Sequence, residues 1–252
     1  MSYPQVEFSV LNLDACIKSV SQFFDDDCLP FGRFQNFIAS HFSFDLPLLS
    51  SLPESKRREE IALHLTPLYN EKLELMEKAK NEVESLFNNS KAHIFSTLNS
   101  IFNIELSSKI SAGIMFNPTC PRYLKDLSFE IYYGADSKYN LNTCIHEIIH
   151  FYFFEKWKQV FTNYDESTFE SPHLVWLFSE LSIDAIFKCT KLKDFLYNDT
   201  PAYDYFYSES IGGVSIMQTF RNLFLNNSIE NYFKKGMDFM YENKAFFKKL
   251  TN

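Results

Sequence analysis

The run Cys144-Ile145-His146-Glu147-Ile148-Ile149-His150-Phe151-Tyr152-Phe153-Phe154 is apolar except for three ionisable side chains, His146, Glu147 and His150. Burying such groups without partners costs several kcal/mol. A chain that folds around this run must therefore satisfy them, either by hydrogen bonds to core histidines or by a shared cation.

On an α-helix His146 and His150 stand about 40° apart around the axis and about 6 Å apart along it, so their imidazoles can converge on one point. Glu147 projects to the side, where it can reach a water at that point without being a ligand. This is the spacing of H-E-x-x-H zinc hydrolases, in which zinc acidifies and polarises water and the glutamate takes its proton. With six histidines in 252 residues, a chance match is on the order of one in a hundred.

A catalytic zinc takes a third protein ligand and keeps one position open. Glu180 lies thirty residues after His150, in the middle of a second helical stretch, and Asp184 follows one turn later on the same face. Both interrupt apolar sequence from Val175 to Phe187. One arrangement accounts for all of them: His146, His150 and Glu180 hold Zn2+, Glu147 is the general base, and Asp184 accepts a hydrogen bond from a ligand histidine. The competing account of Glu180 and Asp184 is an ordinary i,i+4 polar pair on a solvated helix face.

The pair His146-Glu147-Ile148-Ile149-His150 and Glu180-Leu181-Ser182-Ile183-Asp184 resembles the gluzincin branch of zinc metallopeptidases, the thermolysin-like group, over roughly residues 67–190. The resemblance implies an α+β, mostly helical fold. Its zincin-like core would hold a small mixed sheet, a long backing helix and a metal-binding helix pair, with further helices at both ends. It also implies a substrate-binding edge strand, here residues 127–133 with Phe129, Ile131 and Tyr133 on one face, along which a peptide would add as a strand. Such cores usually supply a Tyr or His donor to the developing oxyanion. The candidates are Tyr207, Tyr205, Tyr203 and His173, with Tyr207 ranked first as the nearest to the Gly212-Gly213 turn. No G-x-M-E-N strand is present, which points away from an aminopeptidase.

The rest of the chain fits a helix-rich protein. Phenylalanine is abundant at 28 residues and glycine scarce at 6, favouring packed helices over a turn-rich sandwich. Residues 1–65 read as a segment of short helices broken by Pro30, Pro47 and Pro53, with Phe23, Phe24, Phe31, Phe34, Phe37, Phe42 and Phe44 as its core. Asp25-Asp26-Asp27 lacks the alternating ligands of a calcium loop and reads as solvated. Residues 66–190 form the expected catalytic core. There Thr66 caps and Pro67 opens a long amphipathic helix that Asn88-Asn89-Ser90 ends or breaks. Residues 110–116 and 127–133 are the expected strands. Asn142 or Thr143 starts the helix carrying His146, and residues 173–189 form the helix carrying Glu180. Residues 191–252 form a C-terminal helical subdomain.

A net charge of -8 without a long basic cluster excludes tracking of a phosphate backbone, so no nucleic-acid partner is expected. Five scattered cysteines without a C-x-x-C pair suit reduced thiols. The start of the chain lacks a signal-peptide pattern and no stretch approaches a charge-free bilayer span, so a cytoplasmic protein without a membrane partner is expected.

These observations point to a zinc-dependent hydrolase, first of all a metallopeptidase acting on a peptide or protein substrate. Two alternatives stand beside it: a non-catalytic, zinc-stabilised binding or regulatory protein of the same fold, and a zinc hydrolase of non-peptide substrates. Retention of Glu147 favours catalysis, because a structural site needs the ligands but not the base.

Overall fold

Alternation of Val6, Phe8 and Val10 with Glu7 and Ser9 makes the first element a strand, β1 (Val6–Val10), with its apolar side chains turned inward. It stands where a helix is expected from residues 1–65. In the computed structural model, which describes residues 3–250, the chain forms two compact units that interleave along the sequence. One is Pro4–Asn89 with Ser108–Cys144, and the other is Tyr3 with residues 90–107 and 145–250. The boundaries expected at 65/66 and 190/191 each fall inside one of these units. The fold is mostly helical, 66% of it, with a small mixed sheet of four strands.

The first unit contains that sheet. Strand β1 pairs in parallel with β2 (Ile110–Met115), β2 in parallel with β4 (Ser128–Tyr132), and β3 (Arg122–Tyr123) antiparallel with β4. The order is therefore β1-β2-β4-β3, with β1 and β3 at the edges. Gly113 in β2 is required by close approach, because a Cβ there would collide with the Leu11 side chain. Helices α1 (Leu13–Ser21), α2 (Arg33–Phe42) and α3 (Leu46–Ser51) follow β1. Asp45 caps α3 through the Leu48 amide at 3.0 Å, with Pro47 in its first turn.

The aromatic residues of this segment divide. Phe24 and Phe42 are buried, whereas Phe34 and Phe37 are exposed on α2. Nor is the acidic run merely solvated: Asp26 accepts from Nη2 of the buried Arg57 at 2.7 Å.

Helix α4 (Glu54–Phe102) passes through Thr66, Pro67 and Asn88-Asn89-Ser90 without a break. Thr66 is therefore no cap, and its hydroxyl donates back to the Ala62 carbonyl at 2.7 Å. Helix α5 (Ser137–Val160) begins earlier than expected, because Asp136 accepts from the Lys138 amide at 2.8 Å and caps it ahead of Asn142 and Thr143.

The second unit is built on helices. After the last part of α5 come α6 (Leu174–Lys188), a short hairpin of β5 (Ser210–Ile211) and β6 (Val214–Ser215), then α7 (Ile216–Leu225), α8 (Ile229–Glu242) and α9 (Lys244–Leu250). Every residue of α6 from Val175 to Phe187 is buried. An aromatic core sets the register of α5 against α6: Phe153 and Trp157 lie 5.5 and 6.3 Å from the Phe178 ring, and Phe233 of α8 packs 4.5 Å from Phe153. Gly236 on α8 admits the Phe178 ring where a Cβ would overlap it.

All five cysteines are free. Among the described residues, no helix is long and apolar enough to cross a membrane.

Candidate metal centre

From Cys144 to Phe154 helix α5 is buried on every side apart from the partly exposed His146, as suits a stretch enclosed by other elements, and this places His146, Glu147 and His150 where water does not surround them. Helix α6 brings Glu180 to the same place. The His150 imidazole and the Glu180 carboxylate are buried, Glu147 nearly so, and the His146 side chain retains 20% exposure. The cluster is thus approached from the His146 side. All of these residues lie in the second unit.

The three donor groups face one another. Nε2 of His146 and Nε2 of His150 are 3.1 Å apart, and each lies 3.4 Å from one oxygen of Glu180. Ligands held tetrahedrally at about 2.0–2.2 Å from zinc sit about 3.3 Å from one another. The donor set and its spacing therefore fit a metal ion of this kind, and His146, His150 and Glu180 form a group able to hold one. Oε1 of Glu147 lies 4.0 Å from Nε2 of His146, beside the group rather than within it. Burial by itself would raise the Glu180 carboxyl, but the His150 imidazole, with His146 adding to it, outweighs burial and holds it well below the usual carboxylate range.

Asp184 does not accept from a ligand histidine. One of its oxygens takes the Tyr207 hydroxyl at 2.8 Å, the other takes Nε of Arg221, and Lys188 approaches at 3.2 Å. The acceptor expected of Asp184 is instead a backbone carbonyl: Nδ1 of His146 lies 3.3 Å from the oxygen of Pro201. Tyr207 also receives the Ala202 amide at 3.3 Å. Its hydroxyl proton is directed at Asp184, so the donor ranked first for an oxyanion is already engaged. Burial first, and then Asp184, push the Tyr207 phenol up. Of the other donors considered, His173 is exposed at the N-cap of α6, and Tyr203 and Tyr205 stack on each other with centroids 5.6 Å apart.

Phe129, Ile131 and Tyr133 belong to the first unit. There β4 is an inner strand rather than an edge: Phe129 pairs with Arg122 of β3, and the Glu130 amide donates to Pro121 at 2.9 Å. Phe129 and Ile131 are buried and Tyr133 is half-buried just past the strand end. Residues 128–130 are therefore closed to an added strand.

Sequence reasoning missed Arg221, Lys188 and the Pro201 carbonyl. Lys188 was in reach, at i+4 from Asp184. Arg221 is the sole arginine after Arg122, and that isolation was a signal. A backbone carbonyl leaves none. No protein-family model, curated protein or solved structure matches this chain.

Proposed function

We propose that this protein is a zinc-dependent hydrolase of the metallopeptidase type. The observation that carries the proposal is the convergence of two imidazole Nε2 atoms and one carboxylate at 3.1–3.4 Å in a largely buried cluster, with Glu147 beside them. His146, His150 and Glu180 would hold the ion, which supplies Lewis acidity toward a carbonyl and acidifies a bound water. Glu147 takes the proton from the attacking water and returns it to the leaving amine, as a carboxylate near the reacting atoms but outside the ligand set can do. Partial exposure at His146 supplies the side from which substrate arrives. The peptide as substrate rests on the H-E-x-x-H and E-x-x-x-D motifs.

Metal analysis of the purified protein, combined with hydrolysis assays on a peptide library and on simple esters, tests the proposal. Stoichiometric zinc and cleavage by the parent, with zinc retained and cleavage lost in Glu147→Gln, is the expected result. Equal cleavage by Glu147→Gln overturns the mechanism. Zinc binding without hydrolysis of any substrate favours the zinc-stabilised, non-catalytic alternative, to which the joining of α5 and α6 through buried ligands lends support.

A further inference from the structure

We propose that Asp184 and Tyr207 are positioning residues that orient His146 through the Pro201–Ala202 segment, an inference that rests on the metal-centre reading above. A ligand imidazole needs its second nitrogen fixed, because that bond sets both the tautomer and the direction of the metal-facing lone pair. At His146 the acceptor is the Pro201 carbonyl. A carbonyl cannot donate, so the proton lies on Nδ1 and the lone pair of Nε2 faces His150 and Glu180.

Pro201 lies in an irregular stretch, residues 196–203, between two 3-10 turns, Lys191–Phe195 and Asp204–Ser208. No helix or sheet ladder fixes that carbonyl. The amide of the next residue, Ala202, donates to the Tyr207 hydroxyl, which donates in turn to Asp184. Asp184 is fully buried, rooted in α6 one turn beyond Glu180, and its charge is balanced by Arg221 and Lys188. A continuous path therefore runs from α6 through Asp184, Tyr207 and Ala202 to Pro201 and His146. The helix that delivers Glu180 thereby also fixes the orientation of the imidazole facing it. Tyr207 occupies the middle of the path because its hydroxyl both accepts and donates.

Zinc affinity of the full chain, measured by competition with a chromophoric chelator, tests this without reference to activity. Tyr207→Phe and Asp184→Asn are each expected to raise the zinc Kd by about 10–100-fold. The double variant should lose little more than the worse single one, because the residues act in series. Tyr232→Phe, which removes the buried bond from α8 to Ser182 on α6 at 2.8 Å, a bond outside the relay, controls for a general loss of stability and should leave the Kd unchanged. The 15N signal of the His146 ring should show a protonated Nδ1 in the parent and a broadened or shifted one in Tyr207→Phe. Parent-like zinc affinity in both single variants, or an equal loss in Tyr232→Phe, overturns the relay while the metal centre stands. A parent that binds no zinc, or binds it equally well as His150→Ala, overturns the metal centre and the relay together.

Discussion

The Tyr123 hydroxyl donates to Oε1 of Glu130 across 3.1 Å, inside the sheet-containing unit. Ser19 donates to the other carboxylate oxygen, and Asn117 holds Ser19 in turn at 3.2 Å. Burial nevertheless pushes the Glu130 carboxyl up to about 7, against the pull of the two hydroxyls. Its folded value exceeds its ordinary value of 4.5, so the folded state binds the proton more tightly. The contribution is complete below about pH 4.5 and is lost as pH climbs through about 7. Glu130→Gln should therefore gain stability relative to the parent across that window, on the order of 3 kcal/mol. Urea unfolding of both proteins between pH 4 and 8 measures it, and parallel curves would contradict it.

Arg57 is 2% exposed and donates to the carbonyls of Phe24 and Leu52 as well as to Asp26. Replacing it by Met keeps the stem but takes the donor from the buried Phe24 carbonyl and the half-buried Leu52 carbonyl, and the partner from the exposed Asp26, at a cost of about 2–4 kcal/mol. Lys in its place should recover less than half of that, because an ammonium cannot span the three acceptors as the planar fork does. Thermal and denaturant unfolding give the ranking parent, Arg57→Lys, Arg57→Met; a Lys variant as stable as the parent would show that charge alone suffices.

A methyl group at Gly236 would lie well inside contact distance of the Phe178 ring. That ring is enclosed by Phe153, Phe220, Tyr232 and Phe233 and has no room to retreat. Overpacking of this kind costs about 1–3 kcal/mol, more than the roughly 1 kcal/mol that alanine returns within a helix. Gly236→Ala should be less stable than the parent by equilibrium unfolding, and a stabilised variant would mean that the ring can shift.

Chelation of the metal should lower the thermal midpoint of the parent, and zinc should restore it. At a free zinc concentration of about 100 Kd the stabilisation is about 2.7 kcal/mol. His150→Ala should unfold at the same temperature with and without zinc. Calorimetry on the two proteins separates this outcome from a general effect of the chelator.

The site was legible where its parts lie at helical spacing. His146, Glu147 and His150 on α5 and Glu180 on α6 each interrupt apolar sequence, and burial of a charge demands a partner wherever it occurs. The support of His146 was not legible, since it passes through a main-chain oxygen and through Tyr207 and Arg221, which no local period ties to Asp184. Residues 110–116 and 127–133 declared themselves as strands by composition. Alternation could not reveal that Glu130, on the polar face of β4, would be buried by bonds to Ser19 and Tyr123, nor that β3 would cover that strand. Pro67 and Asn88-Asn89-Ser90 suggested helix ends that α4 ignores, because tertiary packing outweighs a few kcal/mol of local preference.

The pairing of β1 with β2 joins Val6 to Ile110. During synthesis the first strand therefore leaves the ribosome about a hundred residues before its partner exists, and Phe8 and Val10 have no ladder to enter until then. Helices between them can form at once from local bonds, whereas the parallel pair must await closure of a long loop. Sheet formation is thus expected to limit the folding rate of this unit, and the β1 segment is where an assisting chaperone would find exposed apolar chain.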